Sequence, residues 1–199
     1  MIPDIFLEEH PYVDFTHPAI DSLCRRLFSG IEDDIEKTRI AYRFVRDEIP
    51  HSFDIESDLV PSKASDVLLA GTGICHSKAN LLAALLRHEN IPAGFCHEHI
   101  TLACDEKLGY CVHGFNAVFL GKWIKLDARG NKVGIHAEFS LDEFVPAFPP
   151  RDGFDEFFYP GIYARPLADA MRMLDAANSR QDIIDTIIRD VTEEPDIAE

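Results

Sequence analysis

Apolar residues recur every three or four positions over much of the first 90 residues, a spacing that predicts helices. The first helix is expected to begin near Pro18, with Thr16 as its cap, and to end at Gly30. A second helix is expected within 33–49. Its apolar positions are Ile35, Ile40, Phe44, Val45 and Ile49.

Two further helices are expected on either side of the sequence GTGIC, residues 71–75. A short helix would run from a cap at Ser65 to a stop at Gly71. The next would begin at about Cys75 and end before Asn-Ile-Pro at 90–92. Its apolar stripe consists of Cys75, Ala79, Leu82, Ala83 and Leu86. Such a stripe predicts that this helix is central and buried.

Beyond residue 93 the apolar spacing changes to every second residue, which predicts strands. Strands are expected at 94–104, 113–120 and 123–127. Both faces of the segment 113–120 are largely apolar, as expected of a strand inside a sheet. The tripeptide Leu-Gly-Lys predicts a tight hairpin between the last two strands. Helices followed by an antiparallel sheet indicate an α+β fold.

The last third of the chain predicts an ordered loop followed by helices. Residues 144–166 are rich in Pro, Phe and Tyr and show little periodicity, which indicates an aromatic-anchored loop acting as a lid or a brace. Helical segments are expected at 167–177 and 180–191, the second capped by Ser179. The tail after them is expected to be frayed.

A chain of 199 residues with 46% hydrophobic content is expected to form one domain over residues 1–199. Its core would cover about 33–135, and a helical appendage would cover 166–191. A chain of this size buries enough surface to need no disulfide or metal to hold it together.

The formal net charge of −16 repels the phosphates of nucleic acids and anionic lipid headgroups. No apolar run approaches the roughly 18 residues of a membrane span, and no secretory signal is visible. Five cysteines, an odd number without framework spacing, indicate reduced thiols in a cytoplasmic protein. We therefore expect a neutral or cationic substrate, and neither nucleic acid nor membrane as a partner.

Cys75 stands where a glycine-rich turn meets the start of the central helix. The unpaired N–H groups of a first helical turn carry about half a unit of positive charge, which lowers the pKa of a thiol. The same groups can stabilise an oxyanion on an attacked carbonyl. Gly71 and Gly73 allow a sharp turn and the close approach of a substrate. The other interpretation of Cys75 is a small buried hydrophobic residue.

A cysteine nucleophile needs a base, and the base needs a group that orients it. His76 is a poor base for its neighbour because consecutive helical residues point about 100° apart. His113 begins an inner strand, and the partner strand ends in Asp127. A three-residue loop at 120–122 would place these two side chains on one face, whereas a two-residue loop would place them on opposite faces.

A resemblance to the transglutaminase-like superfamily is carried by two segments, SDVLLAGTGICHSKANLLAALLRHENIPA and HGFNAVFLGKWIKLDARGN. They are similar to the small bacterial and archaeal transglutaminase-core proteins described as candidate cysteine proteases. The similarity covers about half of the chain, residues 35–135. It implies a papain-like fold, in which the nucleophile opens a central helix packed on an antiparallel sheet. It also implies Cys75 as nucleophile, His113 as base and acid, and Asp127 as the residue that orients His113.

Other side chains are candidates for contacts with the substrate. His97 and His99, two apart on one strand face, and Trp123 are candidates for substrate binding. A core anchor is the other interpretation of Trp123. His51 and Ser52 are candidates for the second donor to the oxyanion.

A zinc site is an alternative interpretation of the same strands. Its ligands would be His97, His99, Cys104, Cys111 and His113. Structural zinc sites usually show paired short spacings, and only Cys111 and His113 resemble one. The sequence therefore favours a site without metal.

The sequence as a whole predicts a cysteine-dependent acyl-transfer enzyme that acts on a peptide or small amide through a thioacyl-enzyme, without a cofactor. Hydrolysis is favoured over transamidation, because no acceptor tunnel that would keep water out is visible. The alternative from another class is a binding or scaffold domain of the same fold, with an idle triad.

Overall fold

The computed structural model describes residues 3–102 and 106–198. The helices in these residues are α1 (Pro18–Leu27), α2 (Asp34–Arg43), α3 (Ala64–Ala70), α4 (Cys75–His88), α5 (Ala168–Ala176) and α6 (Arg180–Asp185). The strands are β1 (Ala93–Thr101), β2 (Tyr110–Phe119), β3 (Trp123–Leu126) and β4 (Phe157–Phe158). The strands form an antiparallel sheet in the order β3-β2-β1-β4, which confirms the α+β fold. Within the described ranges, no helix has the length and apolar character needed to cross a bilayer.

The helix α4 is central, in contact with α1, α2 and α3 and with β1 and β2. Its residues from His76 to Arg87 are all buried. Polar side chains in such a helix need hydrogen-bond partners, and backbone carbonyls of the surrounding segments supply them. Arg87 donates to the carbonyl of Ala93 at 2.7 Å, and Asn80 donates to that of Ser62 at 2.8 Å. The polar residues of α4 therefore fix the loops around it.

Two of the predicted helix caps are wrong. Thr16 donates its hydroxyl to Glu9, and His17 caps α1 instead by accepting a backbone N–H of the first turn. Ser65 lies inside α3, where its hydroxyl donates to Asp14 at 2.5 Å. Both hydroxyls have found tertiary partners that the local sequence does not reveal.

The second helix buries part of the predicted apolar stripe together with further positions. Its α-helical part ends at Arg43, and a π-helical turn over Phe44–Glu48 follows. The buried positions along it are Thr38, Ala41, Tyr42, Val45 and Ile49. The wider π turn changes the spacing of the inward positions. Val45 and Ile49 are buried as predicted, and Ile40 and Phe44 pack partly buried against the core.

The hairpin between β2 and β3 has the predicted register. Phe119 pairs with Trp123, as a three-residue loop requires. β3 ends at Leu126, and Asp127 is the next residue along the chain. Because residues alternate between the two faces of a sheet, Asp127 is on the side of His113.

The C-terminal segment is shorter in helix and better anchored than predicted. α6 begins after a cap at Ser179, as expected, but ends at Asp185. The tail beyond it is not frayed, because the backbone N–H of Ile162 donates to the carbonyl of Ile197 at 2.8 Å. The carboxylate of Asp196 also accepts a backbone N–H from Ala164. These contacts hold residues 196 and 197 against the core.

Candidate active site

The turn before α4 places Cys75 as the first residue of the helix. Gly71 ends α3 in the left-handed conformation, with a φ of 66°. At Gly73 an added Cβ atom would lie 2.7 Å from Ser77 Oγ. That hydroxyl accepts the N–H of Ile74 at 3.1 Å, so a larger residue at position 73 would break the bond that closes the turn. Both glycines are therefore needed to present Cys75.

His113 and Asp127 form a buried pair beside the thiol. His113 Nε2 lies 2.9 Å from Asp127 Oδ2, and the two side chains are 2% and 1% exposed. Cys75 hydrogen-bonds to the His113 ring and to the backbone N–H of Gly114. Because Nε2 faces the carboxylate, Nδ1 is the ring nitrogen left for the thiol. The structure thus brings together a thiol, an imidazole and a carboxylate, in that order.

The carboxylate of Asp127 is fixed by the backbone on both sides. Its Oδ1 accepts the N–H of Arg129 at 3.0 Å, and its Oδ2 accepts that of Ala147 at 2.8 Å. Phe148, the next residue, packs edge-on against His113 with ring centroids 5.1 Å apart. Of the two roles expected for the aromatic loop, these contacts match that of a brace.

The electrostatics of the three groups favour separated charges. Burial alone would raise the pKa of Cys75, but the hydrogen bond and charge of His113, with the N–H of Gly114, lower it below its ordinary value. Burial would lower the pKa of His113, but Asp127 raises it well above its ordinary value. Burial would raise the pKa of Asp127, but the charge of His113 and two backbone N–H groups lower it. Thiolate, imidazolium and carboxylate are therefore favoured together.

His51 lies beside the thiol because its segment forms a parallel bridge with Gly73. The backbone N–H of Cys75 donates to His51 Nε2 at 3.2 Å, and the N–H of Phe53 approaches Nδ1 at 3.3 Å. Burial and the charge of Arg129 lower the pKa of His51 well below its ordinary value, so its ring is neutral. A neutral imidazole has one acceptor nitrogen and one N–H, so it can satisfy only one of these backbone donors.

Ser52, the other candidate for an oxyanion donor, is already bound elsewhere. Its hydroxyl donates to the carbonyl of Leu59 at 2.8 Å and lies 3.1 Å from the hydroxyl of Thr72. The side chain is buried and has a structural role in joining these loops.

Lys78 lies one turn after Cys75 in α4 and ties two loops of the site together. Its Nζ donates to the carbonyls of Ile49 and Arg129, the second at 2.8 Å. Burial and the charge of Arg129 lower the pKa of Lys78 to about 7. Even a neutral amine has two N–H groups, which is enough for both carbonyls. The role of Lys78 in joining these loops has one signal in the sequence, which is a lysine within a helix that is otherwise predicted to be buried.

Glu98 lies directly opposite His113 in the β1–β2 pair. It is fully buried, and neither carboxyl oxygen has a hydrogen-bond partner among residues 3–102 and 106–198. Burial raises the pKa of Glu98 to about 8, against the opposite effect of the His113 charge. Sequence reasoning missed this residue, although a single carboxylate inside a buried strand is an available signal.

The three residues predicted to bind substrate are not among the described residues that line the cleft at the thiol. His97 is buried on the opposite face of β1 from Glu98, with no partner for either ring nitrogen in the described part of the chain. His99 is on the same face, with Nδ1 2.8 Å from the carbonyl oxygen of Asp155. Trp123 packs against Phe6 with ring centroids 5.0 Å apart. Strand alternation accounts for the two histidines, because it turns both away from the face of His113.

The described residues divide the ligands of the zinc alternative between two faces of the sheet, with His97 and His99 on one face and Cys111 and His113 on the other. Within them, His97, His99, Cys111 and His113 do not form a group of metal ligands, and Cys104 lies outside the described residues. The β1 strand ends at Thr101, before the end predicted for it.

A thiol, an imidazole and a carboxylate also meet at the far end of α4. Potential ligand atoms of Cys24, His88 and Glu89 lie within 4.8 Å of one another. The His88 ring already contacts Asp21 at 3.2 Å and Glu89 at 2.9 Å, and Lys37 pairs with Glu89 at 2.7 Å. Protein groups satisfy these atoms, so the cluster is explained as a set of ion pairs.

The candidate site opens onto a cleft of about 640 Å³ that is lined by Cys75, His113 and His51 among others. This volume is within the range of small-molecule and short-peptide sites. Cys75 is partly exposed, whereas the pair behind it is buried. A substrate carbonyl can therefore reach the sulfur while the imidazole and carboxylate stay protected from bulk water.

A cysteine that opens a central helix, with a His–Asp pair on the adjoining antiparallel sheet, is the arrangement expected of the transglutaminase-like and papain-like class. Residues 21–128, more than half of the chain, match the transglutaminase-like superfamily. The chain belongs to this superfamily, and its membership supports a cysteine-type enzyme at the level of the family. No curated protein matches the sequence significantly.

Among solved structures, one similar chain is described as a putative cysteine protease from Cytophaga hutchinsonii. The two share 22% sequence identity and superpose with a TM-score of 0.49. The match covers 65% of this chain and 43% of that chain. The present chain therefore aligns with less than half the length of that protein.

Proposed function

We propose that this protein is a cysteine-dependent acyl-transfer enzyme that cleaves or transfers an amide bond, peptide or isopeptide, through a thioacyl intermediate. The observation that carries the proposal is the continuous contact from Cys75 to His113 to Asp127, at the N-terminus of α4 and at the edge of an open cleft. Each group has the pKa shift that its role requires. Family membership supports the same kind of nucleophile.

In the first half-reaction the Cys75 thiolate attacks the amide carbonyl carbon, and a C–S bond forms. The carbonyl oxygen becomes an oxyanion. The His113 imidazolium then gives its proton to the amide nitrogen, the C–N bond breaks, and the amine leaves. Asp127 keeps the ring oriented and stabilises its positive charge throughout.

His51 is well placed to stabilise the oxyanion together with the backbone of Cys75. In the free protein the Cys75 N–H donates to His51 Nε2, so the two nitrogens converge on one point. A substrate oxygen entering between them could accept from the Cys75 N–H and from a His51 Nε2–H. Nδ1 would then accept the N–H of Phe53, so that every donor around the ring is satisfied.

In the second half-reaction a nucleophile enters from the cleft. His113, now neutral, takes a proton from water, the oxygen attacks the thioester carbon, and the C–S bond breaks to release an acid. An amine in place of water would give transamidation by the same steps. Hydrolysis is the expected outcome because the rim is open to solvent, with Leu108 51% exposed and Val133 fully exposed.

The test is the reactivity of individual thiols towards iodoacetamide at pH about 6, read by peptide mass spectrometry. Cys75 should react at least about a hundredfold faster than Cys24, because His113 and the N–H of Gly114 lower the pKa of Cys75 and so raise its thiolate fraction. Burial and nearby carboxylates instead raise the pKa of Cys24 to about 12. A His113→Ala variant should lose the preference, because the imidazolium that lowers the pKa of Cys75 is gone.

Equal reactivity of all thiols, or reaction only after unfolding, would contradict the proposal. The fold would then serve as a binding domain with an idle triad. If the preference is found, wild type and Cys75→Ala should be compared on a panel of peptide amides, with and without added amines. Acid products would identify a hydrolase, and new amides would identify a transferase.

A further inference from the structure

The cleft beside Cys75 has two different sides. One side, here called the aliphatic wall, consists of Val112, Met173, Ile183, Ile184 and Ile187. The other side carries Asp54, Arg129 and Lys132. Both cations pair with the single carboxylate, so this charged side has a net positive charge.

Much of the aliphatic wall comes from outside the part of the chain that matches the superfamily. Met173, Ile183, Ile184 and Ile187 all follow the matched residues, 21–128. The appendage therefore supplies a surface of the cleft in addition to closing the core. Most of the wall is therefore encoded outside the segment that matches the family.

The wall is held in place by backbone contacts. The N–H of Val112 donates to the carbonyl of Ile188 at 3.1 Å, which fixes the segment that carries Ile187 beside β2. Arg189 adds a second tie, because its guanidinium donates to the carbonyl of Tyr110 at 3.0 Å. Val112 also directly precedes His113 in β2, and both residues line the cleft.

A surface of this kind discriminates strongly between side chains. An aliphatic group that is buried against it leaves water and gains free energy with the area buried. A charged or amide side chain in the same place would lose its hydration, and the wall residues have no polar side-chain atom to replace it. Differences of about 10- to 200-fold are typical of such pockets.

The charged side favours a peptide over a simple alkyl chain. Lys132 gives one N–H to Asp54, and an ammonium has two more to offer. Its side chain is 47% exposed, so these donors can reach a bound ligand. Carbonyl oxygens of a peptide backbone would accept them, whereas an alkyl chain has no acceptor.

We propose that the enzyme takes short peptides that carry a large aliphatic side chain, of the leucine or isoleucine kind, next to the scissile carbonyl. The side chain lies against the aliphatic wall, and the peptide backbone extends towards Lys132. This specificity rests on the proposed function, since it concerns the substrate of the same cysteine.

The test uses tripeptide chloromethyl ketones that differ only in the side chain next to the ketone, which is Leu, Gln or Lys. The second-order rate of Cys75 alkylation is measured by intact-protein mass. Leu should exceed both others by at least about tenfold. The ratio of the Leu rate to the Gln rate should fall at least about threefold in Ile184→Asn, and likewise in Ile187→Ser. Leu69→Asn, an exposed leucine on α3 away from the cleft, is the matched control and should keep the wild-type ratio.

A second experiment measures binding to the cleft in the absence of any reaction at the thiol. Acetylated tripeptide amides with Leu or Gln at the same position are titrated calorimetrically into Cys75→Ala. Tighter binding of the Leu peptide supports the proposed specificity even if the thiol is unreactive. An unreactive thiol would contradict only the proposed function. Equal rates and equal affinities for the Leu and Gln peptides overturn the proposed specificity. Faster alkylation by hexyl chloromethyl ketone than by the Leu tripeptide overturns it as well.

Discussion

The two ends of α4 hold the same three kinds of side chain in opposite surroundings. At the N-terminal end they are Cys75, His113 and Asp127, and at the C-terminal end they are Cys24, His88 and Glu89. The pKa of Cys75 is lowered, whereas burial and the charges of nearby carboxylates raise that of Cys24 to about 12. The same residue types are therefore expected to give a reactive thiol at one end and an inert one at the other.

The difference arises from what each sulfur faces. Cys75 meets donors, namely the N–H of Gly114 and the His113 ring, at the positive end of a helix. Cys24 meets an acceptor, the carbonyl of Leu85 at 4.0 Å, in the last turns of α4. His88 is held between two carboxylates and does not act on the thiol. The polarity of the helix end and the order of the neighbours, more than the residue types, decide which cysteine ionises.

Replacement of Asp127 by Asn should have the largest effect, a loss of about 10⁴-fold in the rate of amide cleavage. The amide keeps the shape of the side chain but removes the charge that raises the pKa of His113. A less basic imidazole stabilises the thiolate less, so the midpoint pH for iodoacetamide alkylation of Cys75 should rise. The measurements are the rate on a peptide amide and the pH profile of alkylation.

The matched control is Asp21→Asn, which removes a carboxylate at the other end of α4. It should leave the rate and the alkylation profile as in the wild type. An Asp127→Asn protein with an unchanged alkylation midpoint would show that this carboxylate has no part in ionising the thiol. The comparison between the two ends would then lose its electrostatic basis.

Removal of the His51 ring should have the next largest effect. His51→Ala should lower kcat by about 10²- to 10³-fold, because the oxyanion loses one of two donors. His51→Gln keeps an N–H donor and should recover part of the loss. Alkylation by iodoacetamide forms no oxyanion, so its rate at Cys75 should change much less than kcat. A parallel loss in both reactions would mean that His51 acts on the thiol instead.

The position of the candidate site could be predicted from the sequence because it depends on local rules. A glycine-rich turn fixes where α4 begins, and the parity of a three-residue loop fixes which face Asp127 shares with His113. Such rules use chain neighbours or one hairpin, and they hold without knowledge of the rest of the fold. Whether the assembled groups are catalytic stays a prediction.

Features that depend on tertiary surroundings could not be predicted in this way. His97 and His113 are equally buried, at 2% exposure, yet the pKa of the first is lowered and that of the second is raised. Asp127 and Cys75 raise the pKa of His113, whereas the charges of His76 and His113 add to the lowering effect of burial on the pKa of His97. The aliphatic wall could not be predicted from the sequence either, because Ile184 and Ile187 reach the cleft from the far end of the chain.

Glu98 allows a test of how burial acts on a carboxyl group at the N-terminal end of α4. Burial raises its pKa from 4.5 to about 8, so between these values the folded protein keeps a proton that the unfolded chain has released. Stability of the wild type should therefore fall as the pH rises through this interval. Glu98→Gln removes the titration, and the gap in unfolding free energy between the two proteins should grow by up to about 4 kcal/mol from pH 5 to pH 8, at about 1.4 kcal/mol per pH unit. Urea unfolding at pH 5 and pH 8 measures it, and a pH-independent gap would show that the carboxyl ionises freely in the fold.

Cys24→Ala should have the smallest effect and completes the comparison from the inert end. The side chain is fully buried, so removing its sulfur should lower the free energy of unfolding by about 1–2 kcal/mol through the small cavity left behind. The rate on peptide amides and the alkylation profile of Cys75 should stay as in the wild type, because the two thiols are separated by nearly the length of α4. These are measured by urea unfolding and by the same labelling assay. If the fast-reacting thiol disappeared with this substitution, the reactive cysteine would lie at the C-terminal end of α4, and the assignment of Cys75 as nucleophile would have to be abandoned.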